Sequence, residues 1–111
     1  MNNITEKINR IALAHKDKIA VCTKYGKITY SELEEKSNII ANLIEKTERE
    51  TNTKINKVAI FLKDQIEIIC SIVGTLKCNK FYIPLDVTFP LKKIGFMLND
   101  SGAEIIITDA D

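Results

Sequence analysis

The residues able to do chemistry are few and widely spaced. The chain has one histidine, His15, and three cysteines, Cys22, Cys70 and Cys78. Acid–base or nucleophilic catalysis needs a base beside a thiol or hydroxyl. His15 lies between Ala14 and Lys16, with no cysteine or serine close in sequence. It reads as an exposed polar residue or a cation at a helix C-terminus. The cysteines form no C-x-x-C pair, and an odd number cannot close a complete set of intramolecular disulfides. On one helix Cys70 and Cys78 would stand about 12 Å apart along the axis, too far to bridge or chelate. All three are expected to be small apolar core residues. A single histidine with scattered thiols offers no metal-ligand cluster. Asp17, Asp100, Asp109 and Asp111 are likewise scattered, and Asp100 fits the turn Asp100-Ser101-Gly102.

Three polar residues have two readings each. Glu67 either complements the dipole at the start of an apolar helix or faces a partner. Asn38, midway along a helix, is either exposed or cross-linked to a neighbouring loop. Asp86, just past a strand, either ties down the following loop or stands near a site.

Phosphate chemistry is also poorly supported. The four glycines, Gly26, Gly74, Gly95 and Gly102, lie too far apart for a Walker or dinucleotide-binding loop. Ligands of α/β sheets usually sit on the loops that follow the strands. Those loops read Lys63-Asp64-Gln65 and Pro84-Leu85-Asp86, without a run of backbone donors for a phosphate.

The elements that must position these residues follow from the hydrophobic pattern. Ile4, Ile8, Ile11 and Ala12 predict an amphipathic helix over 4–14, capped by Asn2, Asn3 or Thr5. Ile19 to Thr23 and Lys27 to Tyr30 predict a hairpin whose connection uses a positive φ at Gly26. Ser31 and Glu34 form a capping-box pattern that opens a long helix. Leu33, Ser37, Ile40, Ala41 and Ile44 make its inner face, and Glu32, Glu35, Lys36, Glu45 and Lys46 its outer one. The segment 47–56 reads as a frayed helix end and a polar loop. Lys57 to Leu62 has the continuous apolar run of a strand buried in a parallel sheet. Gln65 to Cys78 reads as a sandwiched apolar helix. Phe81 to Ile83 is a strand stopped by Pro84, and Pro90 opens a helix that buries Ile94, Met97 and Leu98. Gly102 is placed to end that helix, and Glu104 to Thr108 is a final buried strand. The class is α/β, a β-hairpin followed by a parallel βαβαβ unit, with 1–111 as a single domain.

Composition agrees. One hundred and eleven residues suffice for one core, and 45% hydrophobic with 28% charged residues excludes wholesale disorder. Sixteen basic against fifteen acidic residues, a net charge of +1, removes the electrostatic case for a nucleic-acid or anionic-membrane binder. The opening MNNITEKINR lacks the apolar core of a signal peptide. The run from Ile66 to Leu76 is interrupted by Glu67 and Ser71 and is too short to span a bilayer. The expected compartment is the cytoplasm.

Several blocks together resemble a known family. Ile28-Thr29-Tyr30-Ser31-Glu32-Leu33 is similar to the L-T-Y-x-E-L signature of adenylate-forming enzymes, and Ser37-Asn38 lies where their long helix has A-N. LKCNKFYIPLDVTFP, Leu76 to Pro90, resembles their L-K-A-G-x-A-Y-V-P-L-D-P-x-Y-P block. Lys93-Ile94, Met97-Leu98 and Asp100-Ser101-Gly102-Ala103 resemble the R-I-x-x-M-L-x-D-S-G-A that follows it. The resemblance runs from the hairpin onward and is greatest to amino-acid adenylation domains of nonribosomal peptide synthetases. Cys78-Asn79 replaces Ala-Gly, Phe81 a small residue and Val87 a proline. Asn79 can supply the left-handed conformation of the glycine, and Val87 also resembles the D-alanine–carrier-protein ligases.

The resemblance implies ATP-dependent activation of a carboxylate to an acyl-adenylate and its transfer to a carrier-protein thiol, with ATP and Mg as cofactors of the full enzyme. The family's phosphate loop, substrate pocket, acidic nucleotide motif and mobile lysine are expected beyond Asp111. No catalytic, cofactor-binding or metal-ligating residue is therefore transferred to this chain, and none of these cofactors is expected to bind to it alone. It is expected to be a piece of a longer enzyme or a truncated gene product, or else a stand-alone interaction module. The implied partners are the remainder of the adenylation domain, a carrier protein and, through an unpaired sheet edge, a second copy of the chain.

Overall fold

Residues 3–109 are described by a computed structural model. The element order is α1 (Asn3–Ala14), β1 (Ile19–Thr23), β2 (Gly26–Thr29), α2 (Tyr30–Thr51), β3 (Lys57–Phe61), α3 (Gln65–Lys77), β4 (Phe81–Pro84), α4 (Leu91–Ser101) and β5 (Ile105–Thr108). Asn2, a candidate cap of α1, and Asp111, a candidate carboxylate, lie outside the described residues. Among those residues, no helix is long and apolar enough to cross a membrane.

β3 is the centre of a parallel three-stranded sheet of order β4-β3-β5. Its apolar run has the expected cause: Val58, Ala59 and Ile60 are at most 1% exposed. From β3 the chain crosses to β4 through α3, then back over β3 to β5 through α4. Right-handed crossovers running in opposite directions put their helices on opposite faces. Val58, Ile105 and Ile107 accordingly pack with Ile44 and Ile55 on the α2 side, whereas Ala59 packs with Leu85 and Ile94 on the α4 side. The antiparallel β1–β2 hairpin forms its own sheet. Its Ile28 joins Leu33 of α2 and Cys70 and Val73 of α3 in a third cluster, against which Ile8 of α1 packs.

α2 buries Leu33, Ser37, Ala41 and Ile44, the expected face, with Ile40 half-buried. That face meets α3 at very close range. A Cβ on Gly74 would lie 2.7 Å from Ile40 Cβ and 2.8 Å from the Ser37 carbonyl oxygen. Gly74 is therefore the gap that lets the helices approach, and Ser37 is fully buried opposite it. At the end of α3, Asn79 has φ 59°, the left-handed conformation expected of it. Gly102 ends α4 with φ 73° and donates its amide to Leu98 O.

Local boundaries depart from the sequence reading for identifiable reasons. The capping box at α2 is Thr29 with Glu32, not Ser31 with Glu34. The amides of Tyr30 and Ser31 donate to Lys18 O and Lys16 O, which fixes the helix start at Tyr30. Glu34 instead accepts from Lys77. The hairpin turn needs no left-handed residue, and Gly26 does not adopt one. Thr23 Oγ1 holds the turn by accepting from the amides of Tyr25 and Gly26. α1 buries Thr5 and Ala12 while Ile4 is exposed, so its inner face is rotated from the isoleucine stripe. α2 runs to Thr51 and ends on Asn52 in the left-handed region, and Ile55 in the following loop is buried rather than polar surface. Pro84 is the last residue of β4, and Pro90 is the N-cap of α4 rather than part of its first turn. β5 alternates between half-buried and exposed residues, so it is not the fully buried strand its composition suggests.

The helix crossing makes a contrast that can be measured. Gly74→Ala should destabilise the fold by about 1–3 kcal/mol through overpacking. Gly95→Ala, on α4 with nothing within 4 Å of its Cβ position, should stabilise it by about 0.5–1 kcal/mol through helix propensity. Denaturant midpoints of the two variants check this, and a neutral or stabilising Gly74→Ala would contradict the close crossing.

Candidate functional site

The structure scatters the residues singled out for chemistry. His15 is exposed just past the end of α1. Cys70 is buried in the hairpin-side cluster, and burial pushes its thiol pKa up. Cys78 is half-buried; burial, then the Glu45 carboxylate, pushes its thiol up to about 11. Its Sγ donates to Ala41 O at 3.4 Å, so it acts as one more tie between the helices. Cys22 is exposed, contrary to the expectation of a core position, because it points outward from β1. Among the described residues, no three His, Cys, Asp or Glu side chains group closely enough to hold a metal ion.

The loops after β3 and β4 are tied by carboxylates of the chain itself, Asp64 and Asp86. Asp64 Oδ1 accepts from the amides of Ile66 (2.8 Å) and Glu67 (3.1 Å), which satisfies the positive end of α3. Glu67 follows it, exposed, in the first turn. Asp86 Oδ1 accepts from Thr88 Oγ1 (2.7 Å) and Thr88 N (2.9 Å), and these bonds lower its carboxyl pKa. Of its two readings, Asp86 thus ties down its own loop.

The strongest electrostatic features are clasps between distant segments. Lys77 Nζ donates to Glu34 Oε1 at 2.7 Å and to Asn38 Oδ1 at 2.8 Å. Asn38 is therefore exposed and cross-linked at once, to a helix rather than a loop. Lys80 Nζ donates to Glu48 Oε2 at 2.8 Å and to Ile55 O at 2.6 Å. The Lys80 ammonium and then the Ile55 amide lower the Glu48 carboxyl pKa. Glu104 Oε1 accepts from Lys57 N (2.8 Å) and Asn56 N (3.2 Å), which lowers its pKa too and fixes the start of β5 against β3. Sequence reasoning missed these clasps because their partners are 25 to 48 residues apart. No local spacing signals them.

The concave surface beside β5 is mainly apolar, whereas a hollow of about 380 Å³ past the carboxyl end of β3 is lined by Thr23, Tyr25, Lys63, Asp64, Gln65 and Asp109. A groove of about 520 Å³ runs between α2 and β5, lined by Ile40, Leu43, Ile44, Thr47 and the residues of β5. A hollow of about 360 Å³ adjoins it and shares Ile40, Ile107 and Thr108. The groove walls can bury a side chain or strand, and the adjoining hollow adds the polar side chains of Lys36, Glu67, Ser71 and Asp109 to its lining.

Parallel βαβ units covered by helices on both faces define an α/β protein of the doubly wound class. Residues 8–111 match the AMP-binding enzyme family, and the chain belongs to that family. Bacitracin synthase 3 of Bacillus licheniformis is 40% identical over 91 residues, which cover 81% of this chain and 1% of that protein. The N-terminal subdomain of Klebsiella oxytoca NpsA, in complex with 3-hydroxybenzoyl-AMSN, matches with a TM-score of 0.80 at 23% identity, over 100% of this chain and 28% of that one. NpsA-ThdA, an artificially fused adenylation–PCP di-domain from Klebsiella oxytoca, matches with a TM-score of 0.79 at 24% identity, over 96% of this chain and 21% of that one. At these identities the structural likeness is one of fold. The chain spans between 1% and 28% of the length of these three proteins.

Thiol accessibility tests this arrangement. At neutral pH iodoacetamide should alkylate Cys22 promptly in the native chain, leave Cys70 unreacted and reach Cys78 only slowly, since the thiolate is the nucleophile. Mass mapping reads the result. Cys78 alkylated as fast as Cys22 would contradict its place between the helices.

Proposed function

We propose that the chain is the structural N-terminal portion of an amino-acid adenylation domain that activates a carboxylate with ATP and loads it onto a carrier protein in the cytoplasm. The portion supports the fold and is not catalytically competent by itself. One observation carries this reading: the chain aligns over 96–100% of its length within NpsA structures of which it covers only 21–28%. The family match and the nonribosomal synthetase relatives support the class of reaction. The fused adenylation–PCP di-domain supports a carrier protein as the partner of the full enzyme.

The residues present do not fit ATP or magnesium on their own. Asp64 accepts from the Ile66 and Glu67 amides of α3 and Thr29 from the Glu32 amide of α2, while α4, opened by Pro90, has no side-chain cap. Among the described residues no carboxylate trio is available for a divalent cation. No step of the reaction is therefore assigned to side chains of this segment.

A second reading, an interaction module without catalysis, is favoured by the apolar groove beside β5. Both readings require the isolated chain to be inactive. ATP–pyrophosphate exchange by purified 1–111, assayed with each proteinogenic amino acid and with D-alanine, should stay at background. Exchange above background would overturn the proposal.

A further inference from the structure

One buried carboxylate oxygen lacks a partner. Glu34 Oε1 accepts from Lys77 Nζ at 2.7 Å, whereas Glu34 Oε2 is buried and makes no hydrogen bond among the described residues. The comparable pair, Glu48 with Lys80, is better supplied: Glu48 Oε2 accepts from the ammonium and from the Ile55 amide. A buried acceptor without a donor bears the full cost of its lost hydration, and a charged one bears most. Where a fold keeps such a group, a water, an ion or a ligand usually lies against it.

Glu34 borders a hollow of about 220 Å³ where α1, α2 and α3 meet, lined also by Asn9, Asn38, Asn42, Glu45 and Lys77. One water needs roughly 10–15 Å³, so the hollow takes a molecule of several heavy atoms. Glu34, Asn38, Asn42 and Glu45 recur at helical spacing and form a single stripe of α2. Ala41, itself buried, sets an apolar step between the two carboxylates. Glu34 and Glu45 outweigh Lys77, so the wall is net negative. A second hollow of about 320 Å³ shares Asn9, Glu34 and Asn38. It adds Lys16 and Glu35, which leave the balance unchanged.

Lys77 shows which group this wall accepts, since its ammonium binds both Glu34 Oε1 and, at 2.8 Å, Asn38 Oδ1. A guanidinium seeks both oxygens of a carboxylate, and Oε1 is already taken. A divalent cation needs more oxygens than this, and no ligand trio exists among the described residues. A primary ammonium needs only one carboxylate oxygen and a neighbouring amide carbonyl. Glu34 and Glu45 stand three turns apart, about 16 Å along α2, too far for one ammonium to serve both. We infer that this notch binds a linear aliphatic polyamine, with one ammonium on Glu34 Oε2, another on Glu45 and methylenes over Ala41. A turn about the terminal torsion of Glu34, which is soft and two-fold, brings Oε2 to the wall. The inference goes beyond the proposed function and does not rest on it.

The test titrates 1–111 with spermidine, followed by calorimetry and by NMR of the side-chain amides. One equivalent should bind, and the Asn38 and Asn42 amide signals should shift together. Glu45→Gln, at an exposed position that Lys77 does not use, should weaken binding by about tenfold. Glu34→Gln should weaken it at least as much, with circular dichroism checking that the fold survives loss of the Lys77 pair. Glu50→Gln, an equal loss of charge on the last turns of α2 outside the hollow, should change nothing. 1,4-Diaminobutane, too short to reach both carboxylates, should bind more weakly. Fully N-methylated spermidine, which has no N–H donors, should not bind. Absence of saturable binding overturns the inference and leaves water as the partner of Glu34. So does displacement of spermidine by potassium chloride beyond that by sodium chloride at equal ionic strength, or binding of the methylated amine as tight as that of spermidine. A Glu45→Gln variant that binds like Glu50→Gln also overturns it. Pyrophosphate exchange takes no part in these readings, so failure here leaves the proposed function standing.

Discussion

The close crossing of α2 and α3 is the constraint on which the rest of the molecule depends. At Gly74 the absence of a side chain brings α3 against Ser37 and Ile40. Helices this close gain dispersion contacts along their length, but a single added methyl forces them apart. Polar clasps mark both ends of the approach: Lys77 holds Glu34 and Asn38 of α2, and Lys80 holds Glu48 near its far end. The Lys77 and Lys80 side chains are each only 10% exposed, so these pairs are screened less than surface ion pairs. Between them, the Cys78 thiol bonds to the Ala41 carbonyl.

Fixing α2 in this way determines what the sheet can do. α2 extends over twenty-two residues, from the hairpin to the loop before β3. Its inner face seals the sheet through Ile44, Ile55 and Val58. Its neighbouring stripe, Ile39 and Leu43, projects past β5 and has nothing to cover it among the described residues. The chain thus combines a closed interior with an open margin. Asp64 and Asp86 at the loop ends serve as caps and ties, and burial raises the pKa of the Cys70 and Cys78 thiols.

Much of the fold was legible because it follows from local pattern. The inner face of α2, the buried run of β3, the C-cap at Gly102 and the left-handed Asn79 all rest on periodicity or on one residue's backbone preference. The family blocks were legible for a related reason, since they are turn, cap and strand devices with fixed spacing. What was not legible came from competition and distance. Two overlapping capping boxes were possible, and the tie from Ser31 to Lys16 selected the one at Thr29. β5 is an isoleucine run that reads as a buried strand; only the sheet order reveals it at an edge. The clasps of Lys77 and Lys80, and the reason for Gly74, exist only once the helices are packed.

Native-state hydrogen exchange of 1–111, resolved by residue, tests most directly the claim that this crossing organises the fold. The slowest amides should lie on the facing turns of α2 and α3, around Ser37 to Ala41 and Ser71 to Thr75, and in β3 at Val58 to Ile60, all opening only with global unfolding. The β1–β2 hairpin and α4 should exchange faster, through local opening. Slowest exchange in the hairpin or α4, with faster exchange across the α2–α3 crossing, would contradict the account.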